Sequence, residues 1–277
     1  MALETIYTCM SVISFQEIYI GGFSIKLAVS GKGGVGKTTL SGTLARLFAR
    51  DGYKVLAIDA DPDMNLASSL GVKQNPRPIS DYKDMIQERA GMPMGMFKLN
   101  PKVDDVVESC GCDAPDGVRF AVMGTLDSGG TGCMCPASSF LKALLRHVIS
   151  REREVVILDM EAGIEHLGRG TARGVDAMIV VVEPGLRSVE TVERIKRLGE
   201  NIGITNLMAV INKTDEPGLI QEKLEEMGIP ILGTIPYDPR LVQADLHGQA
   251  PIDLGGPGVE AMKRIKDRLV ELLEKKA

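Results

Sequence analysis

"IKLAVSGKGGVGKTTLSGTLA", residues 25–45, decides the fold. An apolar run of strand character ends in a turn containing Gly31, Gly33, Gly34 and Gly36. Lys37, Thr38 and Thr39 then open a stretch whose apolar residues recur at helical spacing. Residues 31–38 fit G-x-x-x-x-G-K-[ST], and the strand before and helix after supply the context that this motif needs. Glycines let backbone N–H groups wrap around phosphates, and the helix N-terminus adds a positive partial charge. The motif predicts Gly31, Lys32, Gly33, Gly34, Val35, Gly36, Lys37, Thr38 and Thr39 around a nucleotide. Lys37 would reach the β- and γ-phosphates, and the Thr38 hydroxyl would ligate Mg2+. A chance glycine-rich turn is the bland alternative, and the flanking elements make it the weaker one.

Working outward, short β-branched runs alternate with helical ones. "IKLAVS", "KVLAID", "RFAVMG", "EVVILD", "AMIVVVE", "LMAVINK" and "PILGTIP" are predicted strands. They are nearly continuous in apolar residues, as strands covered on both faces must be. The alternation predicts an α/β fold, a mostly parallel twisted sheet with helices on both faces. Residues 25–277 read as one domain. Residues 74–118, rich in Pro, Gly and Met and without clear period, read as a long insertion after the second strand. Residues 1–24 form an N-terminal extension to which no element is assigned.

Composition narrows the function classes. The chain has 277 residues, a formal net charge of -5, 4% aromatic residues and no Trp. No basic surplus is available to neutralise a polyanion, so nucleic acid is not an expected partner. No apolar stretch approaches the roughly 18 residues that span a bilayer, and residues 1–25 contain no Lys or Arg, unlike a secretory leader. A cytoplasmic protein is expected. The C-terminal run 258–277 places Val259, Met262, Ile265, Leu269 and Leu272 on one helix face. Without aromatic anchors, packing on the sheet explains it better than a membrane surface does.

The five cysteines are Cys9, Cys110, Cys112, Cys133 and Cys135. An odd number in a chain of this length does not describe a disulfide framework, whereas two Cys-x-Cys pairs point to metal or redox chemistry. In "GGTGCMCPASSFLKALL", residues 129–145, Pro136 suits the first turn of a helix, so Cys135 falls near its N-cap, where the helix dipole favours thiolate. Two thiolates are half of a four-ligand site. A two-fold dimer would complete it, with Cys133 and Cys135 from each chain binding Ni2+ or Zn2+. Reversibly oxidised thiols are the plain alternative for both pairs.

Lys32 within "GKGGVGKTT", with "VLAIDADPDMN" at 55–65 and "EVVILDMEAG" at 154–163, resembles the deviant-Walker ATPases typified by MinD, ParA and the nitrogenase iron protein. The resemblance implies that Lys32 reaches across a nucleotide-sandwich homodimer to the partner's phosphates. It also implies that Asp59 holds a Mg2+-bound water, that Asp61 orients the attacking water, and that Asp159 is the Walker B acid. Gly163 falls where a loop could sense the γ-phosphate. Phosphoryl transfer by positioning and charge neutralisation agrees with those residue types. Asn212, Lys213, Thr214 and Asp215 fit the guanine-reading N-K-x-D pattern, but in this family the matching Asn reads adenine. ATP is therefore expected over GTP, with the segment around Pro236 and Asp238 packing on the base.

"LNPKVDD", "GGTGCMCP", "LDMEAGIEHLGRGTARGVD" and "IPYD" resemble more narrowly the CooC-type maturation ATPases. The resemblance covers about residues 25–277. It implies a dimeric ATP-dependent metallochaperone assisting nickel insertion into carbon monoxide dehydrogenase or acetyl-CoA synthase, with Cys133 and Cys135 as the metal pair. The Cys110 and Cys112 pair is not in that pattern. Three other readings compete: a nickel-handling GTPase, kept by Asp215; a positioning or partition ATPase; and an iron–sulfur ATPase, disfavoured because 159–170 holds no cysteine. His147, His166 and His247 read as structural.

Overall fold

The computed structural model describes residues 24–124, 136–149, 154–161 and 174–275. Its sheet has strands β1 (Ile25–Gly31), β2 (Val55–Asp59), β3 (Cys112–Asp113), β4 (Arg119–Val122), β5 (Val155–Asp159), β6 (Ala177–Val182), β7 (Leu207–Ile211) and β8 (Ile231–Thr234). Their spatial order is β3-β4-β2-β5-β1-β6-β7-β8. All pairings are parallel except β3 with β4. The seven predicted strands are therefore all present, and β3 is an added edge strand too short to leave a pattern.

Alternation along each strand feeds two cores. Ile25, Leu27 and Val29 of β1 point to one side, where α1 (Lys37–Arg50) supplies Leu40, Leu44 and Phe48 one turn apart. On that side α2 (Leu66–Leu70) and α10 (Pro257–Glu274) also pack. Val259, Met262, Ile265 and Leu269 are buried there with Leu272 alongside, so the C-terminal helix spends its apolar face on the sheet. The opposite core receives Ala28 of β1 and Phe140, Leu144 and Val148 of α5 (Pro136–Ile149). Each of those three side chains contributes about 2 kcal/mol by leaving water. Helices α6 (Leu186–Ile202) and α7 (Gly218–Glu226) cover the same face. Among the described residues no helix is long and apolar enough to cross a membrane.

Residues 74–118 carry more order than their composition predicts. They contain α3 (Lys83–Ala90), α4 (Val106–Cys110) and β3. Ile86, Ala90, Val103, Val106 and Val107 fill the core beneath α5. The insertion thus contributes to the fold on both faces, since Ala114 and Val118 lie in the core on the other side of the sheet. Short helices α8 (Pro239–Leu246) and α9 (Pro251–Leu254) follow β8. Arg46 of α1 is buried to 3% exposure and joins Asp116 of the insertion and Asp253 of α9, each at 2.7 Å.

Candidate functional site

Strand β1 lies between β5 and β6, with crossovers leaving in both directions, and its carboxyl end opens into the crevice that such a reversal creates. The glycine-rich turn occupies that crevice. A Cβ on Gly31 would stand 2.5 Å from the Val181 carbonyl oxygen. One on Gly36, whose φ of 96° is left-handed, would stand 2.3 Å from Asn212 Nδ2. Only glycine fits either position. Gly36 is also the N-cap of α1 and makes no side-chain cap, so the first amides of a long helix are left to face an anion.

Asn212 and Lys213, after β7, hold this turn from outside. Asn212 Nδ2 donates to the Val35 carbonyl at 2.7 Å, and its Oδ1 accepts from Lys213 N at 2.8 Å. Lys213, at φ 62°, donates from Nζ to the Gly34 carbonyl at 2.6 Å and pairs with Glu183 at 3.1 Å. Both residues are thereby committed to the shape of the loop. Asp215, which would complete a guanine reader, is exposed and does not line the cavity; its neighbour Thr214 closes a turn on Glu216.

Beneath the turn, the carboxylates converge. Asp59 and Asp159 end adjacent strands in register and are fully buried. Asp159 accepts from Thr38 Oγ1 at 2.7 Å and Ser41 Oγ at 2.9 Å. Asp59 accepts the backbone N–H groups of Asp61 and Leu66. Burial pushes Asp59 up to about 7 and Asp159 up to about 6, outweighing the hydrogen bonds that favour their charged forms. Asp61 meets Lys37 in a buried ion pair at 3.0 Å. The donors are hydroxyl and carboxylate oxygens, the hard set that Mg2+ takes. Thr38 gives its only proton to Asp159, so its lone pairs are turned elsewhere and are available to a cation.

A cavity of about 460 Å3 extends from this cluster. Gly33, Gly34, Gly36, Lys37, Thr38, Thr39, Asn212, Lys213 and Pro236 line it, as does Asp61. Gly31 and Val35 are buried under the turn, and Lys32 is exposed, its ammonium without a partner among the described residues. Tyr237, Leu241 and Val242 give the cavity an apolar wall. Asp238 lines the cavity as well, but its two oxygens accept the N–H groups of Arg240 and Gly258, so it caps α8 and ties down α10.

Sequence reasoning did not single out Ser41, Glu183, Tyr237, Leu241 or Val242. Ser41 had a readable signal, a small polar residue three positions after Thr38 on a helix face otherwise turned inward. The others are joined to the loop only by the fold.

The metal expectations fare differently. Cys133 and Cys135 lie outside the described residues, as do Cys9, Gly163 and His166. Cys110 is buried in the core under α5, whereas Cys112 packs against the core on the opposite sheet face. Cys110 ends α4 and Cys112 begins β3, so the chain changes conformation between them and the two side chains join different cores; sequence proximity does not make them a chelating pair. Among the described residues no group of three or more His, Cys, Asp or Glu is placed to hold a metal ion. His147 sits half-buried on α5 and His247 is exposed after α8.

Residues 26–252 match the model of the CobQ/CobB/MinD/ParA nucleotide-binding domain. The chain belongs to that family. It is 42% identical over 255 residues to an uncharacterised ATP-binding protein of Methanocaldococcus jannaschii, covering 90% of this chain and 98% of that one. It is also 42% identical over 240 residues to the carbon monoxide dehydrogenase accessory protein CooC of Rhodospirillum rubrum, covering 83% and 90%. In fold it is similar to the septum site-determining protein MinD of Pyrococcus horikoshii, solved with Mg-ADP. That match has a TM-score of 0.67 and 18% identity, covering 92% of this chain and 99% of that one. A P-loop nucleotide-binding protein with the MinD/ParA architecture is the result.

Proposed function

We propose that this chain is a Mg-dependent ATPase acting as a homodimeric maturation factor of the CooC kind. Its client would be a carbon monoxide dehydrogenase, or the related acetyl-CoA synthase. The observation that carries the reading is the 42% identity to CooC along 90% of that protein. The phosphate turn and buried carboxylates supply compatible chemistry.

In this reading Thr38 would hold Mg2+, with Asp159 acting through Thr38 and Asp59 through a water; the ion supplies neutralisation of the phosphate charge. Lys37 leaves Asp61 for the β- and γ-phosphates. Asp61, released from its ion pair, orients a water whose oxygen attacks the γ-phosphorus while the bond to the ADP oxygen breaks. Water's proton departs, and ADP and phosphate are the products. Lys32 from the partner chain meets the charge that grows on the leaving oxygen, as an arginine finger would. The exposed position of Lys32 is what a residue acting in trans requires. Placement of Asp215 outside the cavity favours ATP over GTP.

Cys133 and Cys135 from two chains would hold one Ni2+ or Zn2+, so nucleotide-driven pairing makes or reshapes the metal site. The test is metal content per dimer after loading with Ni2+ or Zn2+, with and without ATP. One ion per two chains, lost in Cys133→Ser or Cys135→Ser, supports the proposal. A four-iron cluster, or no bound metal, overturns it.

A further inference from the structure

A concentration of exposed apolar side chains lies on the loop after α3, which shares no residue with the lining of the nucleotide cavity. Met92, Met94, Met96 and Leu99 are 41%, 96%, 53% and 64% exposed and fall within residues 92–99. A soluble surface rarely gathers such residues without an occupant for them. The loop is ordered by its own bonds. Gly91 bridges Phe97, Met92 N donates to the Met96 carbonyl at 2.9 Å, and Lys98 N donates to the Ala90 carbonyl at 2.8 Å. Met92 and Met96 therefore stand opposite each other on one side of a narrow hairpin. Helix α5 fixes its base: Ser139 Oγ donates to the Lys98 carbonyl at 2.6 Å and Arg146 to the Leu99 carbonyl at 3.3 Å.

Where hairpin and helix meet, they frame a groove of about 390 Å3, with Phe97 and Leu99 on the hairpin side and Lys142 and Arg146 on the helix side. Lys98 and Lys142 are exposed, and neither has an acidic partner among the described residues, although the chain carries more acids than bases. An apolar ridge beside two unpaired cations is complementary to a segment that carries both acidic and apolar side chains. Thioether side chains suit that task, since they are flexible and polarizable enough to mould to an occupant. A lipid surface is a poorer match: the groove is narrow, and the cations flank it without forming a broad basic face.

We propose that the 92–99 hairpin and the adjoining face of α5 form a docking surface for an acidic, apolar segment of a partner protein. This surface is separate from the nucleotide site, and its role does not depend on the client's identity. It is tested with the full-length protein and a fluorescein-labelled peptide in which Glu residues flank two leucines, alongside the same peptide with Lys in place of Glu. Fluorescence anisotropy should report saturable binding of the acidic peptide and none of the basic one. Lys142→Glu, and separately the double change Met92→Ser with Met96→Ser, should each weaken binding about tenfold or more. Both variants should keep wild-type ATP affinity, which shows that they fold. Equal binding of both peptides, no binding, or binding unaffected by the substitutions overturns the proposal. Concentration-dependent self-association abolished by the double change also overturns it, because the occupant would then be a second copy of the chain.

Discussion

Replacing Asp59 by Asn should alter the pH dependence of stability in a direction that ordinary core damage would not. Burial pushes the Asp59 carboxyl from 3.8 up to about 7. An acid that keeps its proton to higher pH when folded than when unfolded contributes stability that is complete below its unfolded value. That contribution is lost as the pH climbs to the folded value, because within this window the folded chain binds more protons than the unfolded one. A rise of about three pH units corresponds to about 4 kcal/mol lost above neutrality. At about pH 5 only a little over one unit of that window has been crossed, so about 1.6 kcal/mol has gone. Asparagine removes this titration. It also leaves one carbonyl oxygen where two oxygens accept from Asp61 and Leu66 N–H groups. That second effect costs about 1–3 kcal/mol at every pH. The variant should accordingly gain about 3 kcal/mol on the wild type between about pH 5 and pH 8, whatever their offset. Urea unfolding followed by far-ultraviolet circular dichroism, in EDTA and without nucleotide, measures the difference. An offset that stays constant across this range would refute the assignment of a buried, proton-holding carboxyl at Asp59.

Gly36→Ala places a methyl 2.3 Å from Asn212 Nδ2 on a left-handed backbone. Calorimetric ATP affinity should fall at least about tenfold and stability by about 1–3 kcal/mol. Arg46→Met should cost about 2 kcal/mol in the same unfolding experiment, below the range for a wholly buried pair because Asp253 is half exposed. Arg50→Met, at the exposed edge of that network, should cost well under about 1 kcal/mol. Lys32→Ala should retain ATP binding in calorimetry while losing ATP-dependent dimerisation in analytical ultracentrifugation, and full hydrolysis in this variant would remove the trans role. Asp215→Ala should leave the ratio of ATP to GTP affinity unchanged, whereas a shift away from GTP would restore the guanine reading.

Much of the architecture was legible because buried parallel strands leave a direct trace. "AMIVVV" has both faces covered, so its residues are all apolar, and its run of β-branched residues marks it as a strand instead of a buried helical turn. The pattern failed where structure is held by few residues. Strand β3 is Cys112 and Asp113 alone, paired at the sheet edge with Phe120 and Arg119, and α3 buries just Ile86 and Ala90, with Met85 packed alongside. Within the site, the phosphate turn was readable because its residues are contiguous and their spacing is dictated by backbone geometry. Lys213 and Glu183 were not assigned to hold Gly34 in place, since three separate loops meet only after the sheet forms. Cys110 and Cys112, whose role the spacing left open, show the converse: a helix ends and a strand begins between them, and their side chains join different cores.

The contact between Lys37 and Asp61 carries a consequence for which anions the turn accepts. Each group already satisfies the other in a wall that water barely reaches. A solitary orthophosphate must compete with the Asp61 carboxylate using fewer negative oxygens than a polyphosphate tail presents to the same ammonium. An ion pair of this kind favours a ligand with a long, highly charged tail over a single small anion.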